Sequence, residues 1–170
     1  MAKKYNTKSK GNIGESKIAK LLNKLNKGEY TIYNNVIIEK DGVRAEIDHV
    51  IISSFGIFII ETKNYNGVIY GSVNNKYWYK NNFGKGMKFY SPVEQNDKHV
   101  EVFLDVIGYE NLPVYSLVVF IDGCRLEVDC KNVIYSKDLI STICKFNQKV
   151  IDRDLKYDIV NKLECACGVN

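Results

Sequence analysis

Apolar residues recur near the start of the chain at a spacing of three or four, which is typical of one face of a helix. This stripe predicts an amphipathic helix over 12–26, ended by Gly28. Glu15 and Ala19 align with the stripe rather than with the solvent face. The apolar members of the stripe are Ile18, Leu21, Leu22 and Leu25.

The pattern then changes to runs rich in β-branched and aromatic residues, which predict strands. The two longest runs, 30–40 and 44–54, are separated by Asp41-Gly42, a pair that is typical of hairpin turns. Two further runs predict strands over 56–64 and 113–121. Two shorter and more exposed runs predict strands over 67–72 and 76–80.

Three later segments predict helices. Ser91 as cap and Pro92 in the first turn place a helix over 92–107, and helical patterns follow at 136–144 and 152–164. The order of elements is α-β-β-β-(β)-α-β-α-α, without an internal repeat or a linker. We therefore expect a single domain over 1–170, built as a mixed α/β sheet with helices packed on it.

Composition and charge narrow the class of protein. Hydrophobic residues make up 45% and charged residues 26% of the 170 residues, which is typical of a globular chain. The net charge of +4 is compatible with a polyanionic partner but does not require one. No apolar run approaches the roughly 20 residues of a membrane helix, and the basic start MAKKYNTKSKG lacks the apolar segment of a secretory signal. We expect a cytoplasmic protein without a membrane partner.

The five cysteines form an odd, scattered set, which is a poor disulfide framework and fits a reducing compartment. Near the C-terminus, ECACG holds a Cys-x-Cys without the second pair that a zinc site needs. We expect these thiols to be small buried side chains rather than metal ligands.

The central hairpin gathers charged residues on one face if its turn has an even length. A turn at Ser53 to Gly56 places Asp48 opposite Glu61, and Glu46 opposite Lys63. Opposite residues of an antiparallel pair point to the same face, with Cβ atoms about 4.5–5.5 Å apart. An odd turn would send Asp48 to the other face.

Two carboxylates this close repel each other unless a cation lies between them. Mg²⁺ is the usual solution, because it takes one or two protein carboxylates and leaves its other positions to water and phosphate oxygens. A nearby lysine can then orient the attacking water and neutralise charge on a phosphate. The alternative is structural: Lys63 neutralises Glu61 in a salt bridge at an exposed strand end.

Glu15 favours the metal interpretation, because a carboxylate that points toward the sheet needs a partner. It also has a structural alternative. Asn12 as N-cap and Glu15 three residues later resemble a capping box. Both interpretations stay open at this point.

Three segments of the chain together resemble the NERD (nuclease-related) domain of the PD-(D/E)XK nuclease superfamily. They are GNIGESKIAKLL, AEIDHVIISSFGIFIIETKNYNGVIYG and SPVEQNDKH, with Trp78 between the last two. The resemblance covers residues 11–121. It implies a restriction-endonuclease-like α/β core, in which helices flank a mixed central β-sheet, and it leaves 122–170 as a C-terminal helical elaboration.

The resemblance also implies cleavage of phosphodiester bonds that depends on Mg²⁺ or Mn²⁺. Asp48 and Glu61 match the metal-binding acids of the family, Lys63 matches the motif lysine, and Glu15 matches the helical acid of the same site. Gln95 lies where the family has a glutamine, although Ser91 replaces the asparagine that precedes it in the family.

Two other polar residues of the hairpin are not expected in the site. The superfamily motif does not include Glu46. His49 faces away from the acids in this register, so we expect a core or supporting role for it rather than catalysis.

Four lysines alternate with aromatic residues between positions 76 and 90, a pattern that suits phosphate contacts and base stacking. The alternative is a strand pair whose rings cover the sheet while its lysines are solvated. Between Asn81 and Phe89 two glycines predict a mobile loop. The four lysines are Lys76, Lys80, Lys85 and Lys88.

The sequence thus predicts a metal-dependent nuclease that hydrolyses DNA, with DNA expected rather than RNA. The alternative is a catalytically silent module of the same fold that binds nucleic acid or protein. The oligomeric state stays open, with a homodimer among the options, because many nucleases of this kind pair up to cut two strands.

Overall fold

The computed structural model describes residues 10–168. Within this range the chain forms two β-sheets and four α-helices, joined by turns and loops. The basic N-terminal segment lies outside these residues, except for its last two positions. The helices are α1 (Lys10–Leu22), α2 (Pro92–Ile107), α3 (Leu139–Ile143) and α4 (Arg153–Ala166), and a 3₁₀ turn at Ser136–Asp138 precedes α3. The strands are β1 (Tyr30–Lys40), β2 (Val43–Ser53), β3 (Gly56–Lys63), β4 (Gly67–Ser72), β5 (Tyr77–Asn82), β6 (Lys85–Tyr90), β7 (Val114–Phe120), β8 (Cys124–Asp129) and β9 (Val133–Tyr135).

The larger sheet is mixed and has the strand order β1-β2-β3-β7-β9. Its first three strands are antiparallel, whereas β7 runs parallel to β3 and β9 parallel to β7. Helices α2 and α4 pack on one face, and α1 and α3 pack on the other. The predicted class, a mixed α/β fold with a central sheet flanked by helices, is confirmed.

Strand β3 lies at the centre of this sheet and is buried on both faces. Ile57 and Ile59 enter the core beneath α2 and α4, while Phe58 and Ile60 enter the core beneath α1 and α3. Double burial explains why the strand reads as a continuous apolar run rather than an alternating one.

The turn between β2 and β3 has the even length that the sequence required. Residue pairs run from Ser53 with Gly56 to His49 with Ile60, which makes Asp48 and Glu61 the next positions in register. Gly56 has a φ of +128°, and a Cβ there would lie 2.5 Å from the Tyr115 ring and 3.0 Å from the Pro113 carbonyl. This turn therefore requires glycine.

Helix α1 differs from its prediction at both ends. It spans Lys10–Leu22 rather than 12–26, and Leu25 is buried from the turn that follows it. Asn12 lies inside the helix, so it is not the N-cap. The capping-box interpretation of Asn12 and Glu15 is wrong.

A second sheet, with the order β6-β5-β4-β8, was only partly predicted. The expected mobile loop at 81–89 is instead the β5–β6 hairpin, which turns at Phe83-Gly84. The segment 122–170 is also not purely helical, because β8 pairs with β4 and β9 pairs with β7. Strands β8 and β9 are short, and every second residue of β8 faces solvent. Their pairing with strands distant in the sequence stabilises them.

Two smaller expectations concern the cysteines and the membrane. All five cysteines are free, and none is fully buried, so the expectation of buried thiols is wrong. Between residues 10 and 168 no helix is long and apolar enough to cross a bilayer.

Candidate active site

The candidate site lies where β2 and β3 separate. The antiparallel pairs end at His49 and Ile60, whereas β3 stays paired with β7 as far as Lys63. The Asp48 carboxylate is held at this fork, since its Oδ2 accepts a hydrogen bond of 2.7 Å from the Thr62 backbone N–H. The parallel pairing with β7 therefore fixes the end of β3, and Asp48 is fixed against it.

On the other side of Asp48, strand β1 is locally distorted. Asn35, which faces Asp48 in the register, has a left-handed φ of +54° and no partner in the β1–β2 ladder. Asparagine tolerates this backbone conformation better than most residues do. The ladder resumes at Val36, so the distortion is confined to the level of Asp48.

Lys63 connects the strand to helix α2. Its Nζ donates to Glu61 Oε1 at 2.6 Å and to Gln95 Oε1 at 3.0 Å. The side chains of Glu61 and Lys63 are only 4% and 16% exposed. The predicted Glu-x-Lys pair is thus a largely buried ion pair and not a solvated strand end. The salt bridge of the structural alternative is present, but its expected exposed setting is wrong.

The electrostatics of the two acids oppose full ionisation. Burial raises the pKa of Asp48 to about 7, helped by repulsion from Glu61 and then Glu15, against the Thr62 N–H and Lys63. Burial also raises the pKa of Glu61, although the Lys63 ammonium beside it acts in the opposite direction. A cation between the carboxylates would relieve this repulsion.

Glu15 reaches the same cavity because α1 approaches the end of β3 very closely. A Cβ on Gly14 would lie 2.9 Å from Asn64 Cβ and 3.4 Å from Thr62 Cγ2. The contact is completed by Asn64 Nδ2, which donates to the Lys10 carbonyl at 2.8 Å. The glycine thus brings the next residue, Glu15, to the rim of the site.

These acids border a cavity of about 330 Å³ whose wall is strongly polar. Lys80 and Asn82 of β5 also line it. The site is therefore formed jointly by the larger sheet, by α1 and by the second sheet. Its charged lining residues are Lys10, Glu15, Asp48, Glu61, Lys63 and Lys80.

The donor set fits Mg²⁺ or Mn²⁺. Both prefer oxygen ligands, and Mg²⁺ is usually held by one or two carboxylates with water or phosphate completing its shell. Glu61 Oε2 is buried and has no hydrogen-bond partner, so it is available as such a ligand. Within residues 10–168 no three His, Cys, Asp or Glu side chains are grouped closely enough to hold a metal by themselves. The site thus offers a pair of carboxylates, and Glu15 lines the cavity without joining them in a three-ligand group.

Two residues near the acids belong elsewhere. Glu46 is 70% exposed and pairs with Arg44 at 2.7 Å, so it is not part of the acidic patch. His49 is fully buried, and its Nδ1 lies 2.8 Å from Asn34 Oδ1. Burial lowers the pKa of His49 to about 4, so the ring is neutral and Nδ1 is the donor toward the amide oxygen.

Sequence reasoning missed His99. It lies one helical turn after Gln95 on α2, and its Nδ1 is 3.6 Å from Glu61 Oε2. Neither atom has a hydrogen-bond partner, and the His99 side chain is only 12% exposed. The signal was the spacing of four between Gln95 and His99, which places both side chains on one face of a helix.

Asn96 explains why this face of α2 points at the site. Its Nδ2 donates to the Ile59 carbonyl at 2.8 Å, to Ser116 Oγ at 3.0 Å and to the Leu117 carbonyl at 3.2 Å. The fully buried amide therefore joins α2 to both β3 and β7. Gln95 and His99 are held in place on either side of it.

The four predicted lysines do not share one surface. Lys80 lines the acidic cavity. Lys85 is on the same face of the second sheet, because it pairs with Asn82, two residues from Lys80. Lys88 is on the outer face, with its Nζ 4.2 Å from the Tyr77 ring centre. Lys76 precedes β5 and is exposed.

Comparison with known proteins places this site in context. A family model described as nuclease-related domain (NERD) matches residues 10–121. An uncharacterized protein of Bacillus anthracis, pXO1-01, is 33% identical over 160 residues, which are 91% of this chain and 75% of that protein. A crystal structure titled as a protein of unknown function, AF1548, has a TM-score of 0.37 and 15% identity, covering 78% of this chain and 55% of that one.

Proposed function

The chain belongs to the nuclease-related domain family, and on this premise we propose that it is a nuclease that uses Mg²⁺ or Mn²⁺ to hydrolyse DNA phosphodiester bonds. One observation carries the proposal. Asp48, Glu61 and Lys63 line one polar cavity at the fork of the central sheet. Two neighbouring buried acids, of which Glu61 keeps one oxygen without a hydrogen-bond partner, are typical of a site that binds a cation.

In this proposal Asp48 and Glu61 hold the metal ion. Bound there, the ion would supply Lewis-acid stabilisation of the phosphate and would lower the pKa of a water molecule. Thr62 keeps the Asp48 carboxylate in place through its backbone N–H. Glu15 adds negative charge at the rim, which strengthens the attraction of the cavity for a cation.

Lys63 and Gln95 position the reacting groups. Lys63 Nζ has three donors, of which two are used by Glu61 and Gln95, so one remains for a phosphate oxygen or a water. In the reaction a water oxygen attacks phosphorus and gives up a proton to solvent, the bond from phosphorus to the leaving oxygen breaks, and that oxygen takes up a proton from solvent. Lysine charge near the phosphate stabilises the negative charge that develops.

The test is an incubation of plasmid DNA and single-stranded DNA with the protein, in Mg²⁺, in Mn²⁺ and in EDTA. Wild type is expected to cut only with a divalent ion, and Asp48→Ala and Lys63→Ala are expected to lose cleavage. Glu46→Ala is the matched control, because this exposed acid lies on the same strand outside the cavity. Cleavage that persists in Asp48→Ala or in EDTA would contradict the proposal.

A second candidate function is a module that binds nucleic acid without cutting it. The observation in its favour is the 2.6 Å contact between Lys63 and Glu61, in which the lysine already satisfies one carboxylate oxygen. Binding in every condition, with no cleavage in either metal, would support this second function over the first.

A further inference from the structure

The turn of the β5–β6 hairpin carries an unusual residue. Phe83 and Gly84 form a two-residue loop with φ values of +50° and +78°. Asparagine, aspartate or glycine is preferred where both residues have positive φ. The β1–β2 turn of this chain follows the rule, since Asp41 and Gly42 have φ values of +50° and +79°.

Phe83 is disfavoured for two separate reasons. Its backbone adopts a conformation that bulky residues avoid. Its ring is also fully exposed, with a relative accessibility of 100%. A single exposed apolar residue is ordinary by itself, but a non-glycine residue in strained backbone is concentrated at functional sites.

The turn borders the candidate active site. A shallow cavity lined by Phe83 and Gly84 shares two residues, Asn66 and Asn82, with the cavity that holds the acids. Asn82 directly precedes Phe83 and pairs with Lys85 on the other side of the turn. The turn therefore adjoins the acidic cavity through Asn82, and the Phe83 ring projects from it into solvent.

The surroundings of the turn suit a polyanion. Residues 67–90 contain four lysines and no aspartate or glutamate. Lys80 lies inside the acidic cavity, where a phosphate would be held. A basic hairpin with an aromatic tip combines the phosphate contacts and the stacking surface of single-strand binding sites.

Contacts of aromatic side chains anchor the β5–β6 hairpin. Trp78 is fully buried, its Nε1 donates to the Ser72 carbonyl at 3.2 Å, and its ring makes an edge contact with Phe89 at 6.4 Å. Tyr65 adds an edge contact to Phe89 at 5.1 Å. These contacts hold the base of the hairpin in place.

From these observations we infer that Phe83 is a base-stacking wedge beside the scissile phosphate, and that the substrate is DNA with an unpaired or weakly stacked base at that position. Apolar side chains that insert between bases must unstack them, which costs least at a mismatch or at the junction of single and double strand. The inference rests on the proposed function for its substrate, and it adds which DNA structure the site prefers.

The test measures binding without cleavage. Protein in EDTA at one fixed salt concentration is titrated with a fluorescent single-strand/duplex junction and with an intact duplex of the same length. A second set carries 2-aminopurine next to the junction, so that its fluorescence rises when this base leaves the stack. The variants are Phe83→Asn and Phe83→Trp, and Tyr157→Asn removes an exposed aromatic residue on α4 as a matched control.

Wild type, Phe83→Trp and Tyr157→Asn are expected to prefer the junction and to raise the 2-aminopurine signal. Phe83→Asn is expected to bind the junction about tenfold more weakly and to lose the signal, since stacking of one base on an aromatic ring is worth about that factor. Asn-Gly is the favoured sequence for this turn, so Phe83→Asn should melt at the same or a higher temperature. This separates lost stacking from lost folding.

The outcomes distinguish the two proposals. A junction preference that Phe83→Asn abolishes supports the wedge, even if no metal produces cleavage and the nuclease proposal fails. A junction preference unchanged in Phe83→Asn overturns the wedge, and so does a wild-type 2-aminopurine signal that stays flat. In either case metal-dependent cleavage that Asp48→Ala abolishes would leave the nuclease proposal standing.

Discussion

At the residue scale, the site is defined by a carboxylate that is only half satisfied. Glu61 Oε1 is paired with Lys63, while Glu61 Oε2 is buried without a partner and faces His99 Nδ1 at 3.6 Å. An unpaired oxygen at this depth costs stability. The arrangement is understandable if that oxygen is kept for a ligand that the folded protein binds afterwards.

The same reasoning predicts that Asp48→Asn stabilises the metal-free protein. The substitution removes a buried charge and its repulsion from Glu61 and Glu15, and the amide oxygen can still accept the Thr62 N–H. We expect a gain of about 1–2 kcal/mol in the free energy of unfolding in EDTA, together with loss of cleavage. Urea denaturation measures the first quantity, and the plasmid assay measures the second.

Metal should reverse this order of stability. In the proposed function Mg²⁺ binds only the folded state, so millimolar Mg²⁺ is expected to raise the melting temperature of wild type but not that of Asp48→Asn. Glu46→Gln, which changes an exposed acid of the same strand, should respond to Mg²⁺ as wild type does. An Asp48→Asn protein that is less stable than wild type in EDTA would argue against repulsion between the acids.

His99 is expected to act as a positioning residue for Glu61. His99→Ala should weaken Mn²⁺ binding, measured by calorimetry, and should raise the Mg²⁺ concentration needed for half-maximal cleavage, each about tenfold. His99→Gln keeps a donor on the same helical face and is expected to recover part of the loss. Equal Mn²⁺ affinity in wild type and His99→Ala would exclude this role.

At the scale of elements, two close contacts bring the helices to the sheet. Gly14 lets α1 approach the end of β3, and Asn96 joins α2 to β3 and β7. Neither residue lies among the charged groups of the site. Both determine where those groups, Glu15 on α1 and Gln95 and His99 on α2, are placed.

Gly14→Ala is therefore expected to reduce activity beyond its effect on folding. The new Cβ would lie 2.9 Å from Asn64 Cβ, so α1 must move away from β3 and carry Glu15 with it. We expect a loss of about 1–3 kcal/mol in unfolding free energy from overpacking, and weaker Mn²⁺ binding. Ala19→Gly, a change on the same helix away from this contact, should cost about 1 kcal/mol and leave Mn²⁺ affinity unchanged. The prediction fails if Gly14→Ala binds Mn²⁺ like wild type.

At the scale of the whole molecule, the second sheet contributes residues to the candidate site. Lys80 and Asn82 line the cavity together with the acids, and the chain between β3 and β4 is only three residues long. Strand β4 pairs with β8, which follows α2 and β7 in the sequence. Both halves of the chain therefore hold this sheet in place.

The positions of the lysines predict unequal contributions to DNA binding. Lys80→Gln should weaken DNA binding several-fold, because Lys80 lies in the cavity. It should also reduce the slope of log affinity against log salt concentration by about one, the value for one lost phosphate contact. Lys88→Gln should change either quantity much less, because Lys88 packs on Tyr77 on the outer face. Anisotropy titrations at several salt concentrations measure both, and equal effects of the two variants would contradict this division.

The placement of several residues of the candidate site could be predicted from the sequence, because it depends on local geometry. The alternation of strand residues and the even turn at Ser53 to Gly56 were enough to place Asp48 opposite Glu61 and to align Lys63 with it. The helix Pro92–Ile107 was predicted with its cap, because Ser91 accepts from the Glu94 backbone N–H at a position where local capping rules apply. Such features depend on neighbours within a few residues or across one turn.

Other features depended on contacts between distant segments, and there the sequence was insufficient. Strands β8 and β9 are short and become strands through parallel pairing with β4 and β7. The contact of His99 with Glu61 needs α2 laid across β3, and the strain at Phe83 needs the β5–β6 register. The sequence alone thus determined the fold class and the facing acids, since pattern and turn length are local. Only the tertiary structure decided burial, the second sheet and the wall of the cavity, because those follow from which distant surfaces pack together.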